Sequence, residues 1–230
     1  MSSRRTPILI QCIVEGQGER TAVPTLVNRW LERRRFGVER FQIGEAIVTN
    51  SVDNLTMPHD SARRRGIEHY VRVAAGRVRG RGAVLVILDA EDACLTREAH
   101  GDPPLGPVLL ERARSAAEDV PVSVVVASRN FESWILADLT NLRARGHLPT
   151  TARAPDGCFR NPDTSKLGPS FFREHLGSYV KTLDQDRLTK LLSLGRGMLR
   201  RSRSFQKLSK ELEALARLAI AHHRVGRRRE

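Results

Sequence analysis

Ile8-Leu9-Ile10-Gln11-Cys12-Ile13-Val14-Glu15-Gly16-Gln17-Gly18-Glu19 is the stretch on which the reading of the whole chain turns. An apolar run dense in Ile and Val, opened after Pro7 and closed by a glycine loop, has the pattern of a strand buried on both faces. It ends in a carboxylate, two glycines and a second carboxylate. Two kinds of site follow a strand in this way: a loop whose amides cradle a phosphate, or an acidic loop that holds a metal ion. As a dinucleotide fingerprint, Gly16-Gln17-Gly18-Glu19-Arg20-Thr21 carries Thr21 where the third glycine belongs, and no Gly-Lys-Ser/Thr follows as in a Walker loop. Glu15 also sets a negative charge where a pyrophosphate needs bare amides. The acidic reading is the stronger one.

Outward from this strand, Val23, Leu26, Val27, Trp30 and Leu31 recur at three- and four-residue spacing, which predicts an amphipathic helix. Phe41 to Val48 reads as a second strand. Ser61 offers a cap for a helix whose apolar face is Ile67, Tyr70, Val71 and Ala74. Ala83-Val84-Leu85-Val86-Ile87-Leu88 is the clearest strand and runs into Asp89-Ala90-Glu91-Asp92. Val108, Leu109 and Ala113 suggest another helix, and Val122 to Ala127 a fourth strand. Strands that alternate with helices over 1–144 predict an α/β domain with a mostly parallel four-stranded sheet flanked by helices. Residues 145–178 turn to Pro, Gly, Thr and Ser and read as a linker or insertion. Beyond them Phe205, Leu208, Leu212, Leu215 and Ala219 mark a helix with Ser204 as its cap, so 145–230 is expected to be a linker plus a basic helical extension.

The 230 residues suffice for a substantial core. With 40% hydrophobic and 28% charged residues the composition is that of a globular protein, and no apolar run reaches the ~18 residues of a membrane span. The basic N-terminus lacks the features of a secretory signal, so a cytoplasmic location is expected. Cys12, Cys94 and Cys158 form no metal or disulfide spacing, and Cys12 reads as a small buried hydrophobe. The formal net charge of +13 points to a polyanionic partner, nucleic acid before membrane. Residues 196–229 hold eleven Lys/Arg against Glu211 and Glu213.

Function in open α/β sheets gathers at the carboxyl ends of the strands. Glu15 closes the first strand, and Asp89, Glu91 and Asp92 follow the third. A parallel topology brings these ends together, and carboxylates so crowded repel one another unless a cation offsets them. Oxygen-only ligands favour Mg²⁺ or Mn²⁺. A lone acid after a strand is more often a helix cap, and the helix dipole alone suffices to favour Glu19 in a first turn. A receiver-type phosphoacceptor wants a lysine after a later strand, where this chain has Ser128-Arg129-Asn130-Phe131-Glu132.

Val14-Glu15-Gly16-x-x-Glu19, followed by an Asp-x-acid motif after a later strand, resembles the Toprim catalytic fold of topoisomerases, primases and OLD-family nucleases. The ordered set VEGQGE, LDAEDAC, ASRNFESWILA, YVKTLDQDRLT and RSRSFQKLSKEL is similar to the DUF4276 family of Toprim-like proteins, over about residues 8 to 215. The resemblance implies that Glu15 is the Toprim glutamate, a general acid/base or metal ligand, and that Asp89 and Glu91 are the DxD metal pair. Glu91 departs from the usual Asp by one methylene of reach. Glu19, Asp92 and Glu132 complete the implied acidic set. Phe131, Trp134, Ile135 and Leu136 read as the core face of a helix. Lys181 reads equally as a neutraliser of the scissile phosphate or as a surface lysine, and Arg201, Arg203 and Lys207 as contacts to the nucleic-acid backbone, salt-dependent and sequence-blind.

These expectations add up to a Mg²⁺- or Mn²⁺-dependent nuclease on DNA or RNA, with water as attacker, since neither Tyr70 nor Tyr179 has a winged-helix context. The resemblance further implies a toxic effector of bacterial anti-phage defence beside an ABC- or AAA-type ATPase partner, with a homo-oligomer as an option. The competing expectation is a catalytically silent Toprim-like module that binds nucleic acid or the ATPase.

Overall fold

The computed structural model of the protein describes residues 6–57, 65–90, 101–153, 156–164 and 168–226. Its sheet is built from β1 (Ile8–Val14), β2 (Phe41–Ile43), β3 (Ile47–Val48), β4 (Gly82–Asp89) and β5 (Val122–Ala127). β1 lies between β4 and the β2/β3 side, β5 lies beyond β4, and every pairing is parallel. The expected α/β class and parallel sheet are therefore present. The one difference is that the predicted strand over 41–48 is two short strands pairing with successive parts of β1. Gln11, buried within β1, explains the break: its Nε2 donates to Glu45 O at 2.6 Å, and its Oε1 lies 2.7 Å from where a side chain on Gly44 would begin. The side chain fills the gap that a continuous ladder would close.

The two-residue period of the strands sorts the core into two layers. Ile8, Ile10, Cys12 and Val14 of β1 join Leu85 and Ile87 of β4 on one face, where α1 (Glu19–Arg33) and α11 (Arg203–Gly226) cover them. Ile13, Val84, Val86 and Leu88 face the other way, against α3 (Gly66–Val78) and α4 (Leu105–Ala117). Cys12 is fully buried, and that burial pushes its thiol up to about 12. The close approach of β4 to β1 requires Gly82, because a Cβ there would stand 1.8 Å from Leu9 O.

Shorter helices complete the fold: α2 (Asp53–Thr56), α5 (Glu132–Leu136), α6 (Leu139–Ala144), α7 (Asp156–Arg160), α8 (Gly168–Leu176), α9 (Lys181–Thr189) and α10 (Arg196–Arg201). Phe131, Trp134, Ile135 and Leu136 are all buried, as expected of a core face. Residues beyond 144 enter the same core as β1: Phe172, Leu188, Met198, Phe205, Leu212 and Ala219 all belong to it. Ser202, not Ser204, caps α11, with its Oγ accepting from Phe205 N at 2.9 Å. Ser204 instead turns inward, donating to Asp163 Oδ1 at 2.9 Å and accepting from Trp134 Nε1 at 2.8 Å. The Ser61 cap lies outside the described residues. Among those residues no helix is long and apolar enough to cross a membrane.

Candidate active site

Parallel strands place their carboxyl ends on one edge, and the register aligns them closely. Val14 pairs with Ile87, and Asp89 with Ala127. Glu15 therefore emerges beside Asp89, and the Asp89 N–H donates to Glu15 Oε2 at 3.2 Å. From the end of β5 the chain turns through Arg129, in the left-handed region at φ 66°, to Asn130. Asn130 Oδ1 accepts from Ser133 N at 3.1 Å and so fixes the start of α5, where Glu132 is fully buried. Glu19 opens α1 as the dipole argument expects, but it points into the protein and is 3% exposed.

The segment leading into α9 closes this edge. Tyr179 Oη donates to Glu132 Oε1 at 2.9 Å. Gln185 Nε2 donates to Glu19 Oε1 at 3.0 Å and to Glu132 Oε1 at 3.1 Å, joining two acids from distant parts of the chain. Lys181 Nζ stands 3.8 Å from Glu19 Oε1, 3.9 Å from Asp89 Oδ2 and 3.9 Å from Glu132 Oε1. Gly18 makes room for this lid, since a Cβ there would meet Gln185 Oε1 at 2.2 Å and Lys181 O at 3.2 Å.

Of the residues expected in the site, Glu15, Glu19, Asp89, Glu132 and Lys181 come together. Glu91 and Asp92 lie outside the described residues. Arg201 donates to Ala137 O at 3.3 Å, Lys207 pairs with Glu211 at 2.6 Å, and Arg203 is exposed at the start of α11. Tyr179 and Gln185 were not expected. Their signal was the spacing: Lys181 and Gln185 stand one helical turn apart on one face, directly after Tyr179.

Three carboxylates surround one ammonium, with the charge of Glu15 beyond them, and the electrostatics follow. Burial first, then the charge of Glu19, raises the Asp89 carboxyl well above the usual range, against the opposing pull of Lys181. Lys181 is raised as well: burial opposes its charge, but Glu132, Asp89, Glu19 and Glu15 together outweigh it. Burial and the nearby Glu132 hold the Tyr179 phenol protonated far above neutrality. Among the described residues, Asp89 Oδ1 and Glu132 Oε2 are buried acceptors with no hydrogen-bond donor.

An all-oxygen donor set with two orphaned buried acceptors and excess negative charge suits a hard divalent cation in its chemistry. The spacing is less suited: among the described residues no three His, Cys, Asp or Glu side chains converge closely enough to hold a metal ion. The point on which the described acids converge is Lys181 Nζ.

A parallel sheet whose strand ends gather buried acids, with a glutamate after the first strand, defines an α/β domain with an acidic site on the carboxyl edge of its sheet. The chain belongs to DUF4276, described as a domain of unknown function, which matches residues 14–213. The chain is also similar to the C-terminal region of the Xanthomonas campestris pv. campestris OLD protein, with 12% identity, 93% of this chain and 97% of that chain covered, and a TM-score of 0.43. No curated protein matches the sequence.

Proposed function

We infer that this protein is a Mg²⁺- or Mn²⁺-dependent nuclease that hydrolyses nucleic-acid phosphodiesters. The observation that carries the reading is the burial of Asp89, Glu132 and Glu19 beside Glu15 at the carboxyl edge of the sheet, with one lysine among them. Such a concentration of charge costs stability, and it is tolerated where it serves chemistry. A bound divalent cation supplies charge neutralisation at the phosphate and a more acidic water.

Asp89 and Glu132, with Glu91, are the holders of that cation. Glu15 is half-buried where Asp89, Glu19 and Glu132 are buried, so it is the acid placed to exchange a proton with solvent or substrate. Gln185 and Tyr179 fix Glu132 Oε1, which leaves its Oε2 for the cation. Lys181, exposed at the mouth, faces the substrate phosphate, and Arg201, Arg203 and Lys207 track the nucleic-acid backbone. The similarity of VEGQGE and LDAE to Toprim motifs supports the reaction class. The family resemblance also supports a role as the effector of an anti-phage system with an ATPase partner.

The test is cleavage of plasmid DNA and of total tRNA with Mg²⁺ or Mn²⁺, alone and with the partner ATPase. Wild type is expected to cut at least one substrate, and Glu15→Ala and Asp89→Ala to cut neither. Cleavage that survives both substitutions removes these acids from the mechanism. A second reading, a silent module that binds nucleic acid or the ATPase, is favoured by the ammonium that already stands at the convergence point of the acids. It predicts salt-sensitive binding, no cleavage by wild type, and binding unaltered in both variants.

A further inference from the structure

Lys181 stands where a cation between the acids would stand. Its Nζ is nearly equidistant, at 3.8, 3.9 and 3.9 Å, from oxygens of Glu19, Asp89 and Glu132, which come from three different elements. Each separation lies beyond the ~2.7–3.2 Å of an N–H···O bond, so charge rather than hydrogen bonding holds the ammonium there. The lysine side chain is 45% exposed, whereas the carboxylates it faces are 4%, 8% and 0% exposed. The acids are fixed, Glu132 and Glu19 by Gln185 and Glu132 again by Tyr179. The lysine is the exposed member of the group, and it can leave toward solvent without breaking any of these bonds.

Two buried oxygens of the same acids, Asp89 Oδ1 and Glu132 Oε2, have no donor among the described residues while Lys181 occupies the centre. A divalent cation with ligand distances of about 2.0–2.6 Å can use them. It cannot share the centre with a positive charge.

We propose that Lys181 is a built-in counter-ion that exchanges with a divalent cation: metal entry expels the ammonium from between Glu19, Asp89 and Glu132 and turns it toward solvent. This rests on the metal-dependent reading above. It adds a consequence that reading lacks, namely that the lysine and the metal exclude each other. The protein without metal then keeps one positive charge among the acids, which offsets part of their repulsion.

Two measurements on the full chain test the exchange. Calorimetric titration with Mn²⁺ compares wild type with Lys181→Met, whose folding is checked by circular dichroism. Removing a positive charge from the centre is expected to tighten Mn²⁺ binding by about tenfold or more. In wild type, acetic anhydride labelling of Lys181, read by mass spectrometry, is expected to speed up when Mn²⁺ is added and to be unchanged with K⁺ at equal ionic strength. Equal Mn²⁺ affinity in both proteins, or labelling of Lys181 that Mn²⁺ leaves unchanged while it binds, overturns the exchange and leaves the metal reading standing. Absence of Mn²⁺ binding by either protein overturns both.

Discussion

The Asp89 N–H donates to Glu15 Oε2 at 3.2 Å, although 74 positions separate the two in sequence. The parallel register of β1 and β4 makes the meeting unavoidable, because Val14 pairs with Ile87, so Glu15 leaves β1 alongside the last two residues of β4, Leu88 and Asp89. Folding the core therefore forces the acids together. Their mutual repulsion is a cost of the architecture, offset in part by Lys181 and by the donors of Gln185 and Tyr179.

Asp89→Asn is expected to stabilise the metal-free protein while abolishing cleavage. The wild-type carboxyl is raised by burial and by Glu19, so the native state holds that proton more tightly than the unfolded chain. The stabilisation from the proton is fully present below the ordinary value of 3.8 and is lost as pH rises through the folded value. Urea unfolding in EDTA, from about pH 4 to about pH 8, should show the variant gaining on wild type as pH increases. The gain should be on the order of 1 kcal/mol at neutral pH. A gap that stays constant or closes with rising pH contradicts this.

Gln185→Leu removes the one amide that serves Glu19 and Glu132. Hydrogen bonds to charged acceptors contribute about 1.5–3 kcal/mol each, so a loss of roughly 3 kcal/mol is expected in urea unfolding. The comparison with Gln185→Glu is informative: it keeps the shape, adds a fifth acid and should be worse. A Leu variant as stable as wild type would mean that the amide bridge contributes nothing.

Gly18→Ala places a methyl against the Gln185 amide and the Lys181 carbonyl. Overpacking of this kind costs about 1–3 kcal/mol. Because the Gln185 clash is shared, the Gly18→Ala/Gln185→Ala pair should lose less stability than the sum of the single variants. Strict additivity in a double-mutant cycle counts against the contact.

Asp163 lies in the stretch that reads as a linker or insertion, yet its carboxylate accepts from Ser202 Oγ at 2.6 Å, Ser204 N at 2.8 Å and Ser204 Oγ at 2.9 Å. Asp163→Ala should cost about 3 kcal/mol or more, and Ser202→Ala about 1 kcal/mol for the lost cap. Urea midpoints measure both; an order reversed from this one contradicts the assignment of Asp163 as the anchor of α11.

The strands were legible because Ile8–Val14 and Ala83–Leu88 are buried on both faces and leave an unbroken apolar text. Glu15 and Asp89 were legible because strand ends in a parallel sheet converge. What escaped was the part set by single polar side chains. Gln11 breaks 41–48 into two strands, but from sequence it is only one polar residue in an apolar run. Ser204 reads as the cap, but Asp163 binds both it and Ser202, and Trp134 Nε1, 70 positions away, donates to Ser204, which leaves Ser202 to cap the helix. The spacing puts Lys181 and Gln185 on one face of a helix, but which acids that face meets is set by the packing of α9 on α1, a long-range contact that the local sequence does not show.

The most direct test of the acid cluster as a cation site is an anomalous-difference map from crystals soaked in Mn²⁺. The account predicts a peak within about 2.0–2.6 Å of oxygens from Asp89 and from Glu15 or Glu132, with Lys181 Nζ moved away from all three. A structure that shows no peak there at saturating Mn²⁺, with the ammonium still between Glu19, Asp89 and Glu132, would contradict it.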